Sequence, residues 1–290
     1  MANLKELRKK IGAVQSTRKV TSAMKMVAGV KLRKIEQQVL ASREYANSLY
    51  DVLANLNGGF TEINDELFSG RDKISSELLI VFVSDRGLCG NYNYMMNKAM
   101  QQYVGDFCNT KKRLHIECVG AKLFEQFKSL MREGDSIELI SDFYQIEHMF
   151  KNAQNLAKKV IEKFEKGIVD KVSILYSRYD SAMTHTITVK SLIPLSRSEK
   201  KSAPATLFEP DIKTVMRCIL PYNIGLQIYQ TALESMCSEQ SARMTAMDSA
   251  TRNADDLLSE LTIRYNRTRQ YGITQELTEV ISGAQAISEE

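Results

Sequence analysis

The sequence predicts a small α/β domain between two long terminal helices that pair as an antiparallel coiled coil. Three observations support this fold class. Proline is absent before Pro194, which permits long uninterrupted helices over most of the chain. Apolar residues repeat every seven positions near both ends of the chain. In the middle, continuous or alternating apolar runs replace that pattern, which is typical of β-strands.

The first terminal helix is expected over residues 1–58, where the Gly58-Gly59 pair ends it. Apolar residues at heptad spacing predict that it packs against another helix, and they are Leu4, Leu7, Ile11, Val14, Leu32, Ile35, Val39, Ala46, Leu49 and Leu53. Between these two runs the same frame becomes polar, and an apolar stripe appears on a shifted face. The polar positions are Arg18, Thr21 and Lys25, and the stripe consists of Val20, Met24 and Val27. We therefore expect the helix to change its contacts over this stretch.

The second terminal helix is expected within residues 211–290, after a polar, proline-containing loop at 196–210. Pro221 should mark a kink at the start of its uninterrupted part. Its predicted seam, broken by Gln240 and Arg243, holds Leu226, Tyr229, Leu233, Met236, Met247, Ala250, Ala254, Leu257 and Leu261. Because this helix is longer than the first, antiparallel pairing leaves roughly its last 20 residues without a partner in the chain. That end carries the apolar residues Ile273, Leu277, Val280 and Ile281, which need a partner outside the chain.

A Rossmann-like α/β domain is expected over residues 70–195. Strands are predicted at 77–83, 113–119, 171–176 and 184–189, with helices at about 94–107, 121–131 and 146–166. The segment from Ser84 to Asn93 follows a strand and opens a helix, which is where nucleotide-binding proteins place phosphate loops. It lacks both G-x-G-x-x-G and the Lys-Ser/Thr pair of a P-loop. We therefore interpret it as a tight turn whose polar side chains cap the helix or face a neighbour.

No group of residues typical of an active site or a metal site is visible. His115, His148 and His185 fall on separate predicted elements, without acidic residues or cysteines at ligand spacing. Asp85, Arg86 and Cys89 have no histidine base near them in sequence. Five cysteines without a C-x-x-C pair fit a reducing compartment. We expect no catalytic residue, no metal and no cofactor.

Ten lysines and arginines lie between Lys5 and Lys34, against the single acidic residue Glu6. Such a local positive charge can face nucleic acid, an anionic membrane or an acidic protein, or it can be the solvated face of a coiled coil. The cations lie all round the helix without interleaved aromatic residues, so we expect no nucleic-acid partner. No signal peptide, transit peptide or apolar stretch of membrane-spanning length is visible, so a soluble, unsecreted protein is expected.

Four motifs resemble one known family. The stretch from Ile273 to Ala284 resembles I-T-x-E-x-x-E-x-x-x-G-A, the C-terminal signature of the ATP synthase gamma family. Three further segments are similar to that family in the same order along the chain, and they are Val20–Val27, Asp85–Asn91 and Ser238–Met247. The resemblance therefore spans essentially the whole chain.

This resemblance implies a non-catalytic, central-stalk rotor subunit of an F-type ATP synthase. Such a subunit couples proton flow through a membrane c-ring to ATP synthesis from ADP, or to ATP hydrolysis, at the beta subunits. Its implied partners are three alpha and three beta subunits, an epsilon subunit and the c-ring. The implied location is peripheral, at the cytoplasmic face of a bacterial inner membrane; a mitochondrial matrix location is less favoured because no transit peptide is visible.

The resemblance also implies roles for individual residues. Contacts with the beta subunits are implied for Met24, Lys25, Arg269, Gln270, Thr274 and Glu276. A conformationally sensitive position on the shaft is implied for Arg243, a bearing collar for Ile273, Leu277, Val280 and Ile281, and a foot contact with the c-ring for Phe208 and Glu209. Two alternatives from other classes stay open, namely a coiled-coil scaffold with a Rossmann-like ligand-binding module and an α/β enzyme.

Overall fold

The computed structural model describes residues 2–56, 66–71, 73–108, 112–181, 184–195 and 212–288. In chain order the elements are α1 (Ala2–Leu56), α2 (Glu66–Ser69), β1 (Ser76–Phe82), α3 (Tyr92–Cys108), β2 (Arg113–Val119), α4 (Phe124–Lys128), β3 (Ser136–Ile140), α5 (Met149–Glu165), β4 (Lys171–Tyr179), β5 (His185–Ile193) and α6 (Ile212–Ser288). The chain divides into two compact units. Unit 1 contains Met1–Ala28 and Met244–Glu290, and unit 2 contains Gly29–Arg243.

Unit 2 is built around one five-stranded sheet with the order β3-β2-β1-β4-β5. The first four strands of that order run parallel, and β5 pairs antiparallel with β4. Every residue of the central strand β1 is buried, as its continuous apolar sequence predicts. The expected mixture of helices and strands in the middle of the chain is therefore confirmed.

The sequence pattern missed one strand and overestimated one helix. Strand β3, at Ser136–Ile140, lies at the sheet edge with no fully buried residue, so it lacks the apolar run that reveals β1. Helix α4 covers only Phe124–Lys128 of the expected 121–131. Helix α6 begins at Ile212, so Pro221 lies inside the helix rather than at its start.

Helices cover both faces of the sheet. Helix α5 has an apolar stripe that is buried at Met149, Ala153, Leu156, Ala157, Val160, Ile161 and Phe164. Another cluster joins α3 and α4 to the sheet, with Tyr92, Met96 and Met100 of α3 packed among residues of β1 and β2. The part of α1 in unit 2 also keeps its predicted seam, since Leu32, Ile35, Val39 and Ala46 are buried. Leu53 lies outside the side chains that the structure describes.

In unit 1, α1 and α6 pair antiparallel. Arg18 forms an ion pair with Asp255, Thr251 Oγ1 donates to Thr21 Oγ1 at 2.9 Å, and Lys25 Nζ lies 2.5 Å from Asp248 Oδ1. Residue numbers rise along α1 as their partners' numbers fall along α6, which confirms the antiparallel coiled coil. Leu7, Thr21 and Ala28 are buried at this seam.

The polar stretch of α1 stays in the seam. We expected a shifted apolar face to take over there, but Val20 and Val27 are 58% and 56% exposed. Polar cross-pairs between the two helices hold the frame instead, because cation–carboxylate pairs and a hydroxyl pair can replace apolar packing at half-exposed positions.

The prediction that Leu257 lies in the seam of α6 is wrong. Leu257 is 43% exposed, whereas its neighbour Leu258 is half-buried. The buried and half-buried positions run through Met247, Thr251, Ala254, Leu258 and Leu261. Thr251 lies in the seam, where its hydroxyl bonds to Thr21. A heptad frame chosen by hydrophobicity alone passes over this polar residue, and it therefore placed Leu257 in the seam instead of Leu258.

We therefore expect adjacent leucines to respond differently to the same substitution. In the isolated chain, Leu258→Asp should reduce the free energy of unfolding by roughly 1–3 kcal/mol, because it places a charge in a helix seam. The matched control Leu257→Asp should change it by less than about 0.5 kcal/mol. Urea unfolding followed by circular dichroism measures both values, and equal losses in the two variants would contradict the assigned frame.

Candidate functional site

The stretch around Met24 presents exposed apolar side chains beside an ion-pair network. Met24 is half-buried, whereas Val20, Met26 and Val27 are exposed. Lys25 does not stand free as a positive charge, because its ammonium group pairs with Asp248 of α6. The apolar surface of this stretch therefore remains available to another molecule, while the charge of Lys25 is partly balanced within the chain.

The carboxylate of Asp248 holds two cations. Arg252 Nη2 lies 2.7 Å from Asp248 Oδ2, one helical turn from it on α6. The hydrogen bond from Lys25 lowers the pKa of Asp248 below its ordinary value, and Arg252 acts in the same direction. The carboxylate therefore stays ionised at neutral pH, and the network of Lys25, Asp248 and Arg252 carries one net positive charge.

Further exposed cations lie along α1 between its start and this network. Lys5, Arg8, Lys9 and Lys19 are exposed, whereas Lys10 pairs with Glu6 at 2.8 Å. Unit 1 therefore combines exposed apolar side chains with an excess of positive charge, a surface that suits an acidic protein.

The end of α6 is uncovered. Every residue from Ile273 to Ala284 is exposed, and the predicted collar side chains are 51–69% exposed. In the register set by Lys25 and Asp248, the start of α1 lies opposite about residue 271, so no part of α1 extends beyond that point. This explains why the apolar side chains beyond it have no cover within the described chain.

The polar residues expected to contact the beta subunits share this end of the helix. Arg269, Gln270, Thr274 and Glu276 are exposed, and Thr274 Oγ1 donates to the carbonyl oxygen of Gln270 at 3.0 Å. Arg269 precedes Ile273 by one helical turn, and Gln270 likewise precedes Thr274. Polar and apolar positions therefore follow one another along the same side of α6 instead of occupying separate segments. The foot residues Phe208 and Glu209 lie outside the described residues.

Arg243 joins α6 to the loop between β1 and α3. Its Nη1 lies 2.6 Å from Glu239 Oε1, and its Nη2 donates to the carbonyl oxygens of Arg86 and Gly87, each at 3.3 Å. Burial raises the pKa of the Glu239 carboxyl, and the charge of Arg243 opposes that shift. The contact links residues more than 150 positions apart, so the sequence pattern held no signal for it.

The loop itself is a tight turn, in agreement with the sequence-based interpretation. Leu88 and Gly90 both have positive φ, at 63° and 58°. Ser84 Oγ donates to Asn93 Oδ1 at 2.7 Å, and Asn93 Nδ2 lies 3.1 Å from Cys89 Sγ. The polar side chains of this loop thus bond to one another and to the start of α3.

The three histidines are not brought together. His115 contacts Ser136 Oγ, His148 precedes α5, and His185 begins β5. Among the described residues, no three metal-ligating side chains cluster. None of the helices in the described part of the chain combines the length and the apolar character that a membrane span requires.

Comparisons with known proteins assign the chain to a family. A family model described as ATP synthase matches residues 3–287. The ATP synthase gamma chain of Pelagibacter ubique is 38% identical over 294 residues, covering 99% of this chain and all of that relative. The ATP synthase gamma chain of Fusobacterium nucleatum is 36% identical over 288 residues, with the same coverage.

Solved structures share the fold. One chain from the Euglena gracilis mitochondrial ATP synthase, in a structure described as OSCP/F1/c-ring, gives a TM-score of 0.66 at 18% identity and covers 99% of this chain and 95% of its own length. A chain from the central stalk and c-ring structure of the Tetrahymena thermophila mitochondrial ATP synthase gives 0.58 at 20% identity, covering 80% and 99% respectively. These structures show the fold, and the full-length sequence similarity establishes that the chain belongs to the ATP synthase gamma chain family.

Proposed function

We propose that this chain is the central-stalk rotor subunit of an F-type ATP synthase, located peripherally at the cytoplasmic face of a bacterial inner membrane. Its rotation couples proton flow through the c-ring to ATP synthesis or hydrolysis at the beta subunits. The chain itself is non-catalytic. Its partners are three alpha subunits, three beta subunits, an epsilon subunit and the c-ring.

The uncovered end of α6 is the observation that carries this proposal. A single helix that exposes Ile273, Leu277, Val280 and Ile281 needs a surface to cover them. A sleeve formed by the alpha and beta subunits supplies such a surface. Apolar contacts are non-directional, so their energy changes little as the helix turns inside the sleeve, which is the property of a bearing.

Polar contacts have the opposite property. Hydrogen bonds and ion pairs of Arg269, Gln270, Thr274 and Glu276 form at particular angles, so their energy varies as the shaft turns.

A second contact region lies on α1. Met24 and Lys25, with the exposed cations of this helix, face acidic lever loops of the beta subunits. Each beta subunit then meets a different side of the shaft, and its nucleotide affinity is biased by that contact. Phe208 and Glu209 make the foot contact with the c-ring.

The isolated chain should neither bind ATP at micromolar levels nor hydrolyse it, because catalysis belongs to other subunits in this proposal. Isothermal titration calorimetry and a phosphate-release assay on the purified chain measure the two properties. Saturable binding at one site would support a ligand-binding scaffold instead, and turnover by the chain alone would support an α/β enzyme.

Met24→Lys should impair coupling. The added charge faces an acidic lever, holds one angular state more strongly and lowers the number of protons pumped per ATP hydrolysed. The matched control Met26→Lys adds the same charge two residues away, on a different side of α1, and should have a smaller effect. Proton pumping and ATP hydrolysis are measured in membranes that contain each variant.

Deleting residues from Gly283 onward removes Ala284, Ala286 and Ile287, which follow the collar, and keeps the four collar residues and the polar contacts. It should therefore weaken assembly of the complex and leave some rotation. Sedimentation measures the assembled fraction, and proton pumping measures the remaining coupling. If Met24→Lys pumps normally while this truncation is fully uncoupled, the two regions have the reverse of the proposed roles.

A further inference from the structure

One segment of α6 is enclosed on all sides within unit 2. From Thr231 to Ser241, ten of eleven residues are buried, and only Glu234 is half-buried. We call these residues the enclosed segment. A helix buried all round is ordinarily apolar, but here the buried residues include Thr231, Ser235, Ser238, Glu239, Gln240 and Ser241. Polar groups at these positions require hydrogen-bond partners in the surrounding domain.

The enclosed segment lies at the carboxyl ends of β1 and β4. The chain order of the sheet reverses between these two strands, and their pairing ends at Val81 and Leu175. Just beyond that point, Ser238 Oγ donates to the carbonyl oxygen of Ser177 at 3.0 Å, and Ser235 Oγ lies 3.5 Å from the carbonyl oxygen of Phe82. In open α/β sheets this reversal point is the crevice in which ligands bind. Here the chain's own helix occupies it.

Two further contacts hold the same segment. Tyr92 of α3 is fully buried, and its hydroxyl lies 2.8 Å from Ser235 Oγ. At the other end, Arg243 bonds to Glu239 and to the carbonyl oxygens of Arg86 and Gly87 in the loop before α3. The segment is therefore bonded to both strands of the crevice, to α3 and to the loop between β1 and α3.

These contacts fix an angle as well as a position. Apolar packing alone resists rotation of a helix about its axis only through shape, whereas hydroxyl-to-carbonyl bonds weaken steeply when the donor moves off line. In coiled coils, a single buried polar residue such as Asn in the seam specifies the register of the two helices. The enclosed segment thus contrasts with the collar residues near the end of the same helix, whose side chains are apolar and exposed.

We infer that the enclosed segment takes the place of a ligand in the crevice and serves as an angular clamp, through which torque on the α/β domain enters α6. This inference rests on the proposed rotor function for its role, but the clamp itself is a property of the isolated chain. Ser235 and Ser238 are its positioning residues, and Arg243 locks its end.

The clamp can be tested in the isolated full-length chain. Nitroxide labels at Lys98→Cys on α3 and Arg217→Cys on α6, both exposed and both in unit 2, report the angle of α6 through their distance distribution. Cys108 and the exposed Cys218 are replaced by serine so that only the two introduced thiols are labelled. Ser235→Ala combined with Ser238→Ala removes two hydroxyls with little change in volume. The matched control combines Ser249→Ala with Ser259→Ala, which removes two exposed hydroxyls from the same helix.

We expect the distance distribution to broaden in the double variant of Ser235 and Ser238 and to stay unchanged in the double variant of Ser249 and Ser259. Equal distributions in the two double variants would overturn the clamp. Circular dichroism checks that each variant is folded. If the double variant of Ser235 and Ser238 does not fold, the single variant Ser238→Ala, which removes only the 3.0 Å bond to Ser177, is measured instead. Its distance distribution should also be broader than that of the control variant.

The role in torque is tested in the complex with alpha and beta subunits, with a bead attached to the α/β domain. In the variant with Ser235→Ala and Ser238→Ala, the angular spread of the bead in paused states should exceed that of the wild-type complex. The increase is roughly 1.4-fold if half of the restoring stiffness is lost, because the width of a harmonic fluctuation varies as the inverse square root of the stiffness. An unchanged spread together with a broadened distance distribution would refute the torque role. A wild-type complex that hydrolyses ATP without turning the bead would refute the rotor function instead, and the distance measurement would still decide the clamp.

Discussion

The unequal length of the two terminal helices constrains the function of this chain. Helix α6 has 77 residues and α1 has 55. The cross-pairs of Arg18, Thr21 and Lys25 with α6 fix where the pairing ends, because they set the register in unit 1. Beyond that point α6 continues as a single helix with exposed apolar side chains. A partner surface is therefore required by the geometry of the chain, independently of any comparison with relatives.

Helix α6 meets three kinds of surroundings along its length, and each permits a different kind of contact. The enclosed segment is buried and bonded through hydroxyl groups. The stretch from Met247 to Leu261 pairs with α1 through alternating apolar and ionic contacts, and the end beyond Gly272 is exposed and carries the apolar collar among polar side chains. Directional bonds resist rotation, whereas apolar contacts tolerate it. The enclosed segment can therefore be fixed to the α/β domain, while the end of the same helix turns within a sleeve of other subunits.

Much of the fold could be predicted from the sequence, because β1, the α5 stripe and the helix seams depend on local patterns of hydrophobicity. Strand β3 could not, since its edge position requires few buried residues. Leu257 was assigned to the seam because Thr251, a polar residue, occupies the true frame. The contact of Arg243 with Arg86 and Gly87 depends on tertiary structure alone. The exposure of the α6 end was predictable because it follows from helix lengths.

The most direct test of the rotor assignment is a single-molecule measurement. The chain is assembled with ATP synthase alpha and beta subunits, the complex is fixed to a surface through the beta subunits, and a bead is attached to an exposed residue of the α/β domain. On addition of ATP, the account predicts sustained rotation in one direction, with pauses at three angles because three beta subunits surround the shaft. Steady ATP hydrolysis by the same complexes without rotation of the bead would contradict it.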